Sequence, residues 1–311
     1  MIKNCLAILA LLFSLTVAAA DYPKVLNITY VKAPFNIQNM VMKEQGLLEK
    51  EFQAEGIQIH WIPIKAGLNQ VRGMAAGEID MVSAMNTSTL LIANSVGNRI
   101  VIVDGVAHPD ETFALVAKPA VAKSVAELKG KRVVGPKGTV LHHMLLASLV
   151  QNDLSMKDVD FVSMNLPASL TTLLSGRADA ALVAAGGLLK AQSEGYEPIV
   201  KAKGLIGTNL VLAARADFAQ LYPEVVSRVA KVNREALAWA QNHRDEAVAL
   251  GAKAHGISLA EAQQLFDWSG FYADVTEEDV KALEESQAFL LSEKMMTQPV
   301  DVHSLFWPKA P

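Results

Sequence analysis

Apolar positions along the chain switch between two periods. Val25 to Val31 is a β-branched run, and Ile57 to Ile64 puts Ile57, Ile59 and Trp61 on one face and Gln58 and His60 on the other, the alternation of a strand. Between them Asn36 opens a stretch in which Ile37, Met40, Val41, Gln45 and Leu48 recur at helical spacing. A second helix is predicted from about Leu68 to Ala76, strands over Met81 to Ala84 and Arg99 to Val103, and a helix over Thr89 to Ser95 between those strands. Strands alternating with helices predict an α/β chain whose sheets are mainly parallel and covered by helices on both faces.

The pattern then repeats. Gly77-Glu78-Ile79-Asp80-Met81-Val82 is echoed by Gly176-Arg177-Ala178-Asp179-Ala180-Ala181, each behind a helical segment and each leading into an apolar strand. Upstream of each echo stand a strand, a Pro-containing loop and a helix, over Ile28 to Met42 and over Arg132 to Leu146. Two echoes in the same order predict two similar α/β lobes.

The N-terminus changes the compartment. Lys3 precedes an apolar run from Cys5 to Val17, shorter than the roughly 20 residues a spanning helix needs, and Ala18-Ala19-Ala20 supplies small residues for cleavage before Asp21. The expected organisation is a leader over 1–20, lobe 1 over 21–106, lobe 2 over 107–212 and a return to lobe 1 over 213–311. Export to the periplasm follows, with a mature chain that is not inserted in the membrane and is expected to be a monomer. Cys5 is the single cysteine, so the mature chain has no disulfide, no thiol nucleophile and no thiolate ligand. Hydrophobic residues make up 51% of the chain, enough for two sizeable cores. The 28 basic and 32 acidic residues are scattered, which argues against a nucleic-acid partner.

In open α/β sheets ligands bind beyond the carboxyl ends of strands, where helix N-termini present free N–H groups. Facing lobes would line a shared cleft with such loops. The first lobe offers Ala33, Pro34, Phe35 and Asn36 beside Lys32, and then Asn86, Thr87 and Ser88; the second offers Lys137, Gly138 and Thr139, and then Ala185 and Gly186 within Ala184 to Gly187. Asn86 and Ser88 are also the residue types that cap helices, and Gly138 suits a tight turn. Gly135 to Thr139 lacks the G-x-x-x-x-G-K-[ST] spacing of a nucleotide-phosphate loop. His142 and His143 are adjacent on a helix, about 100° apart, and are read as structural or solvent-facing, not as a metal pair. Trp61, Trp239 and Trp307 read as core, whereas Trp268 lies in a turn-like, Gly-containing segment from which it or Phe271 is expected to reach the cleft rim. No metal site and no cofactor are expected.

Ala33-Pro34-Phe35-Asn36, Val41 to Lys50, Val125 to Val133 with Gly138-Thr139, and the closing Pro299-Val300-Asp301 and Phe306-Trp307 together resemble the substrate-binding proteins of nitrate, sulfonate and taurine ABC importers, with their NMT1/THI5-like domain. The resemblance implies a two-lobed type 2 periplasmic-binding fold, crossed near Gly105 to Phe113 and near Gly207 to Ala214, with C-terminal helices packed back on the first lobe. It implies hinge closure on a small-molecule ligand, an ABC permease as partner, and an anionic solute such as a sulfonate held by N–H groups at Asn36, Ser88 and Thr139. Relatives of this kind often place an aromatic residue where Ala184 to Gly187 stand; small residues there leave space for a larger or more apolar solute.

An enzyme is the rival class. No G-x-S-x-G elbow and no H-E-x-x-H helix occurs, and a thiamine-pyrimidine synthase of the same fold implies a cysteine cluster that this chain lacks. A solute sensor for a membrane kinase shares the cleft and differs in its partner.

Overall fold

The structure, a computed structural model, describes residues 22–64 and 67–308; the expected leader over 1–20 and its cleavage point lie outside the described residues. The chain opens with β1 (Val25–Tyr30), α1 (Ile37–Glu44), α2 (Leu47–Glu51), β2 (Gln58–Pro63), α3 (Gly67–Ala75), β3 (Met81–Asn86), α4 (Thr87–Ser95) and β4 (Ile100–Ala107). It crosses to β5 (Phe113–Ala117), β6 (Arg132–Gly135), α5 (Val140–Val150), β7 (Asp160–Ser163), α6 (Leu166–Leu174), β8 (Ala180–Ala184), α7 (Gly186–Ser193) and β9 (Glu197–Lys201). It returns through β10 (Leu210–Arg215) to α8 (Ala216–Leu221), α9 (Pro223–Asn242), α10 (Arg244–His255), α11 (Leu259–Trp268) and α12 (Glu277–Ser292).

The strands form two sheets of the same topology, β2-β1-β3-β10-β4 in the first lobe and β7-β6-β8-β5-β9 in the second. β1 pairs in parallel with β2 and β3, as β6 does with β7 and β8, but the fourth strand of each sheet is antiparallel to both neighbours. The expectation of mainly parallel sheets holds: four strands of each sheet run the same way, and one strand, β10 or β5, is inserted against them. The reason is the crossing: β10 enters the first sheet from the second lobe and β5 enters the second from the first, each inserted against the local direction. The crossings occupy 108–112 and 202–209. Leu210 to Leu212, assigned to the second lobe by a boundary at 212, therefore pair within the first sheet.

The Gly-x-x-Asp echo has one physical role in both lobes. Gly77 (φ 75°) and Gly176 (φ 72°) turn the chain through left-handed backbone ahead of β3 and β8. The Asp80 carboxylate accepts from the Asn27 amide at 2.9 Å and the Asp179 carboxylate from the Arg132 amide at 2.8 Å, tying the central strand of each sheet to the first strand of its lobe, β1 or β6. The Asp80 and Asp179 amides return the bond to the carbonyls of Asn27 and Arg132, each at 2.9 Å.

Helices of the return pack on the first lobe. Val225, Val226, Val229 and Val232 of α9 share a core with Ile37, Met40 and Val41 of α1, and Leu283 and Leu290 of α12 share one with Leu90 and Leu91 of α4. Arg234 grips the fully buried Asp104 of β4 through Nε at 3.0 Å and Nη2 at 2.8 Å. Both crossings are fastened to the same carboxylate. Asn209 donates to Asp279 at 2.8 Å and His108 Nε2 stands 3.4 Å from it, while the Thr208 hydroxyl donates to Asp110.

Candidate functional site

Because β1, β3, β6 and β8 all point their carboxyl ends toward the other lobe, the helices that follow them aim their N-termini into the gap between lobes. Asn86 is the last residue of β3 and the N-cap of α4, its Oδ1 accepting from the Thr89 amide at 3.3 Å. Thr87 and Ser88 are the first residues of α4. The Thr87 amide is bonded to the Asn209 carbonyl at 3.1 Å. The Asn86 Nδ2 is buried without a partner.

Facing α4 is α5, whose N-cap is Thr139. No side chain caps this helix; the Thr139 hydroxyl donates to the Pro136 carbonyl at 2.9 Å instead. Gly138 adopts φ 72°, as a tight turn needs, and Lys137 is exposed. The lobes touch here: Ser88 Oγ lies 3.2 Å from His143 Nδ1, and the His143 ring stacks on Phe289 of α12 at 4.8 Å. His142 turns the other way, onto Phe161 at 5.3 Å. Burial, with the nearby Lys137 charge adding to it, pushes the His142 imidazole down to about 4; burial, with His142 as the second cause, does the same to His143. The expectation that these histidines are structural or solvent-facing is half corrected: both are buried, and His143 spans the gap.

On the opposite side α7 begins at Gly186 behind Ala185, whose φ 47°, ψ −122° is a left-handed conformation that L side chains avoid, at a cost of order 1–3 kcal/mol. Two bonds hold it there, its amide to the Thr112 carbonyl at 2.9 Å and its carbonyl to the Leu188 amide at 2.8 Å. A Cβ on Gly186 would meet only open space. Beside this turn lies a cavity of about 260 Å³ lined by Leu166, Pro167, Leu170, Val183, Ala184 and Gly187. Ala185 and Leu189 join the first lobe's core, so the lobes close on this side too. Trp268 ends α11 instead of lying in a turn beyond it. It packs against the second lobe's core, with the Lys201 ammonium 4.6 Å from its ring centroid.

The loop after β1 divides its residues between core and edge. The Phe35 ring is fully buried, stacked on His255 at 5.3 Å and seated over Gly251. Ala33 is exposed, Pro34 buried, and Lys32 reaches away to the Ala254 carbonyl. Asn36 donates to the carbonyls of Val31 and Ala33, both at 2.9 Å, which turns its Oδ1 away from them, buried and unpartnered. Asn39, also donating to Val31, leaves its Oδ1 in the same condition. β1 and β3 share a single register pair, Ile28 with Met81, so they part toward their carboxyl ends. The opening is lined by Thr29, Ser83 and Asn39, and it is the point where the chain winds off in opposite directions, the usual crevice for a ligand in such sheets. The sequence reading missed Asn39 and Ser83 and set His143 aside as structural or solvent-facing; of the two missed, only Asn39 carried a signal, a polar residue one turn after Asn36.

Two similar α/β lobes, crossed twice by the chain and closed on a gap ringed by helix N-termini, define a two-lobed binding-protein fold. The sequence matches the NMT1/THI5 like family over residues 48–247, and the chain belongs to that family. It is 27% identical to an Escherichia coli (strain K12) protein named for binding aliphatic sulfonates, over 98% of this chain and 96% of that one. The structure is similar to that of the alkanesulfonate-binding protein SsuA from Xanthomonas axonopodis pv. citri bound to MOPS, with TM-score 0.84, 21% identity, and 93% and 99% of the two chains covered. The fold is not confined to binding proteins: the desulfurization enzyme DSZB superposes with TM-score 0.68 at 16% identity, over 92% and 97% of the chains.

Proposed function

We propose that this chain is the periplasmic solute-binding component of an ABC importer, capturing a small anionic organic solute of sulfonate type by closure of its lobes. The observation that carries the reading is the meeting of α4 and α5 across the gap, which brings two helix N-termini of opposite lobes to one place. A helix N-terminus favours an anion by roughly 0.3–1 kcal/mol when exposed and more when buried, and closure brings the two contributions together. Amides at Ser88, Thr139 and Gly186 are the proposed donors, with Asn36, Asn86 and Trp268 at the edges of the site. Similarity to sulfonate-binding proteins supports the ligand class and the permease partner. Among the described residues no helix is long and apolar enough to cross a membrane.

A thermal-shift screen of the chain from Asp21 onward, against alkanesulfonates, taurine, nitrate, carboxylates and amino acids, tests the proposal. A ligand at about 100 times its Kd adds about 2.7 kcal/mol to stability, so the sulfonates raise Tm by several degrees and leave the assay chemically unchanged. Consumption of the sulfonate, or stabilisation by none of the anions, contradicts the reading.

A further inference from the structure

His143 of α5 reaches out of its own lobe. Its Nδ1 is 3.2 Å from Ser88 Oγ, its ring lies 4.8 Å from Phe289 with 23° between the planes, and only 2% of it is exposed. Ser88 and Phe289 both belong to elements packed on the first lobe. His142, next in the chain, stays inside the second lobe, where it stacks on Phe161 and accepts from the Gly138 amide at 3.4 Å. Separation of the lobes therefore exposes the His143 ring and leaves His142 where it is.

We infer that His143 is a positioning residue for closure: it latches the second lobe onto α4 and α12 as a neutral imidazole, which makes solute capture proton-linked. The inference rests on the proposed binding function in one respect, that closure and capture are the same event. The surroundings give the cation nothing to pair with. α4 carries no charged residue at all, and α5 brings only His142. Carboxylates stand about one turn to either side of Phe289, at Glu285 of α12 and at its C-cap Glu293, and Glu285 is exposed and lies 3.9 Å from Lys281. Burial thus governs the proton affinity of the closed form, holding the ring at about 4 against about 6.5 for an exposed histidine. Above about 6.5 the ring is neutral in both forms and the linkage is silent. As pH falls from there the open form takes up a proton that the closed form refuses, and the penalty on closure grows until about 4, where it levels off.

The test compares the wild-type chain with His143→Gln and Ser88→Ala at pH 7.5 and 5.0, by small-angle X-ray scattering without solute and by calorimetric titration with 1-butanesulfonate. For the wild type the radius of gyration rises at pH 5.0 and the affinity falls roughly 10- to 30-fold, the ratio set by the two proton affinities. In His143→Gln, whose amide still reaches Ser88 but takes no proton, the expansion disappears and the fall shrinks to less than about 3-fold. Ser88→Ala weakens capture at both pH values and keeps the wild-type pH response. Wild-type capture that is level between the two pH values, or an equal fall in His143→Gln, overturns the latch. Should the glutamine variant fail to fold, hydrogen–deuterium exchange at histidine Cε1 of the wild type saturated with 1-butanesulfonate decides: a His143 midpoint near 6.5 overturns it, a midpoint well below supports it. Failure of the wider reading looks different, with no butanesulfonate bound at pH 7.5 while the wild type still expands at pH 5.0.

Discussion

Asn86 closes the amide register of α4 with one atom and leaves another, Nδ2, buried and free at the mouth of the gap. Asn86→Ala therefore lowers stability by about 1 kcal/mol through the lost cap, besides weakening any captured anion; urea unfolding with and without ligand separates the two effects. Gly251 meets a different demand. A Cβ there would run into the Phe35 ring, so Gly251→Ala costs on the order of 1–3 kcal/mol by overpacking, read as a lower urea midpoint at unchanged slope. Capping types and loop positions at Asn36, Asn86 and Thr139 were legible from the sequence because they sit at changes of period. The direction of His143 was not. α5 is buried on nearly every side, from Val140 to Leu149, and a helix apolar all round carries no pattern that tells one face from another.

Among elements, the paired Gly-x-x-Asp turns were the sequence feature that predicted two lobes, and they prove to be strand clamps. Asp80 is nearly buried, accepts from both Asn27 nitrogens and stands 3.6 Å from Arg215, whereas Asp179 is partly exposed and accepts from one amide. Asp80→Ala is expected to cost about 1–3 kcal/mol and Asp179→Ala less, measured by chemical unfolding; equal losses would deny that the clamps work through buried hydrogen bonds. The elements themselves followed the apolar period closely, with β1 at Val25–Tyr30 and α3 at Gly67–Ala75 near their expected bounds. Strand direction did not follow from it. Leu210-Val211-Leu212-Ala213 of β10 is buried on both faces and reads the same whichever way the strand runs; only the crossing between lobes sets it antiparallel.

For the whole molecule, closure is held at two places, Ser88 with His143 on one side and Trp268 with Lys201 on the other. Lys201 also pairs with Glu111 in the first crossing at 2.9 Å, so the second contact joins hinge and cleft rim. Lys201→Met keeps the aliphatic packing and removes the charge over Trp268. It is expected to loosen closure by about 0.5–1 kcal/mol, visible as roughly 2- to 5-fold weaker capture with a nearly constant unliganded melting temperature. The crossings near Gly105 to Phe113 and Gly207 to Ala214 were expected from resemblance, since composition along the chain does not change at either. Closure on a charged solute is the claim on which the account depends. Calorimetric titration of the chain from Asp21 onward with 1-butanesulfonate and with uncharged butyl methyl sulfone addresses it without any mutation. Saturable one-to-one binding of the anion, at least about 100-fold tighter than the sulfone, is the result the account predicts, because the sulfone keeps two acceptor oxygens but lacks the charge that helix N-termini favour and the third oxygen, leaving a buried amide unpaired. Equal binding of the pair, or binding of neither, contradicts it.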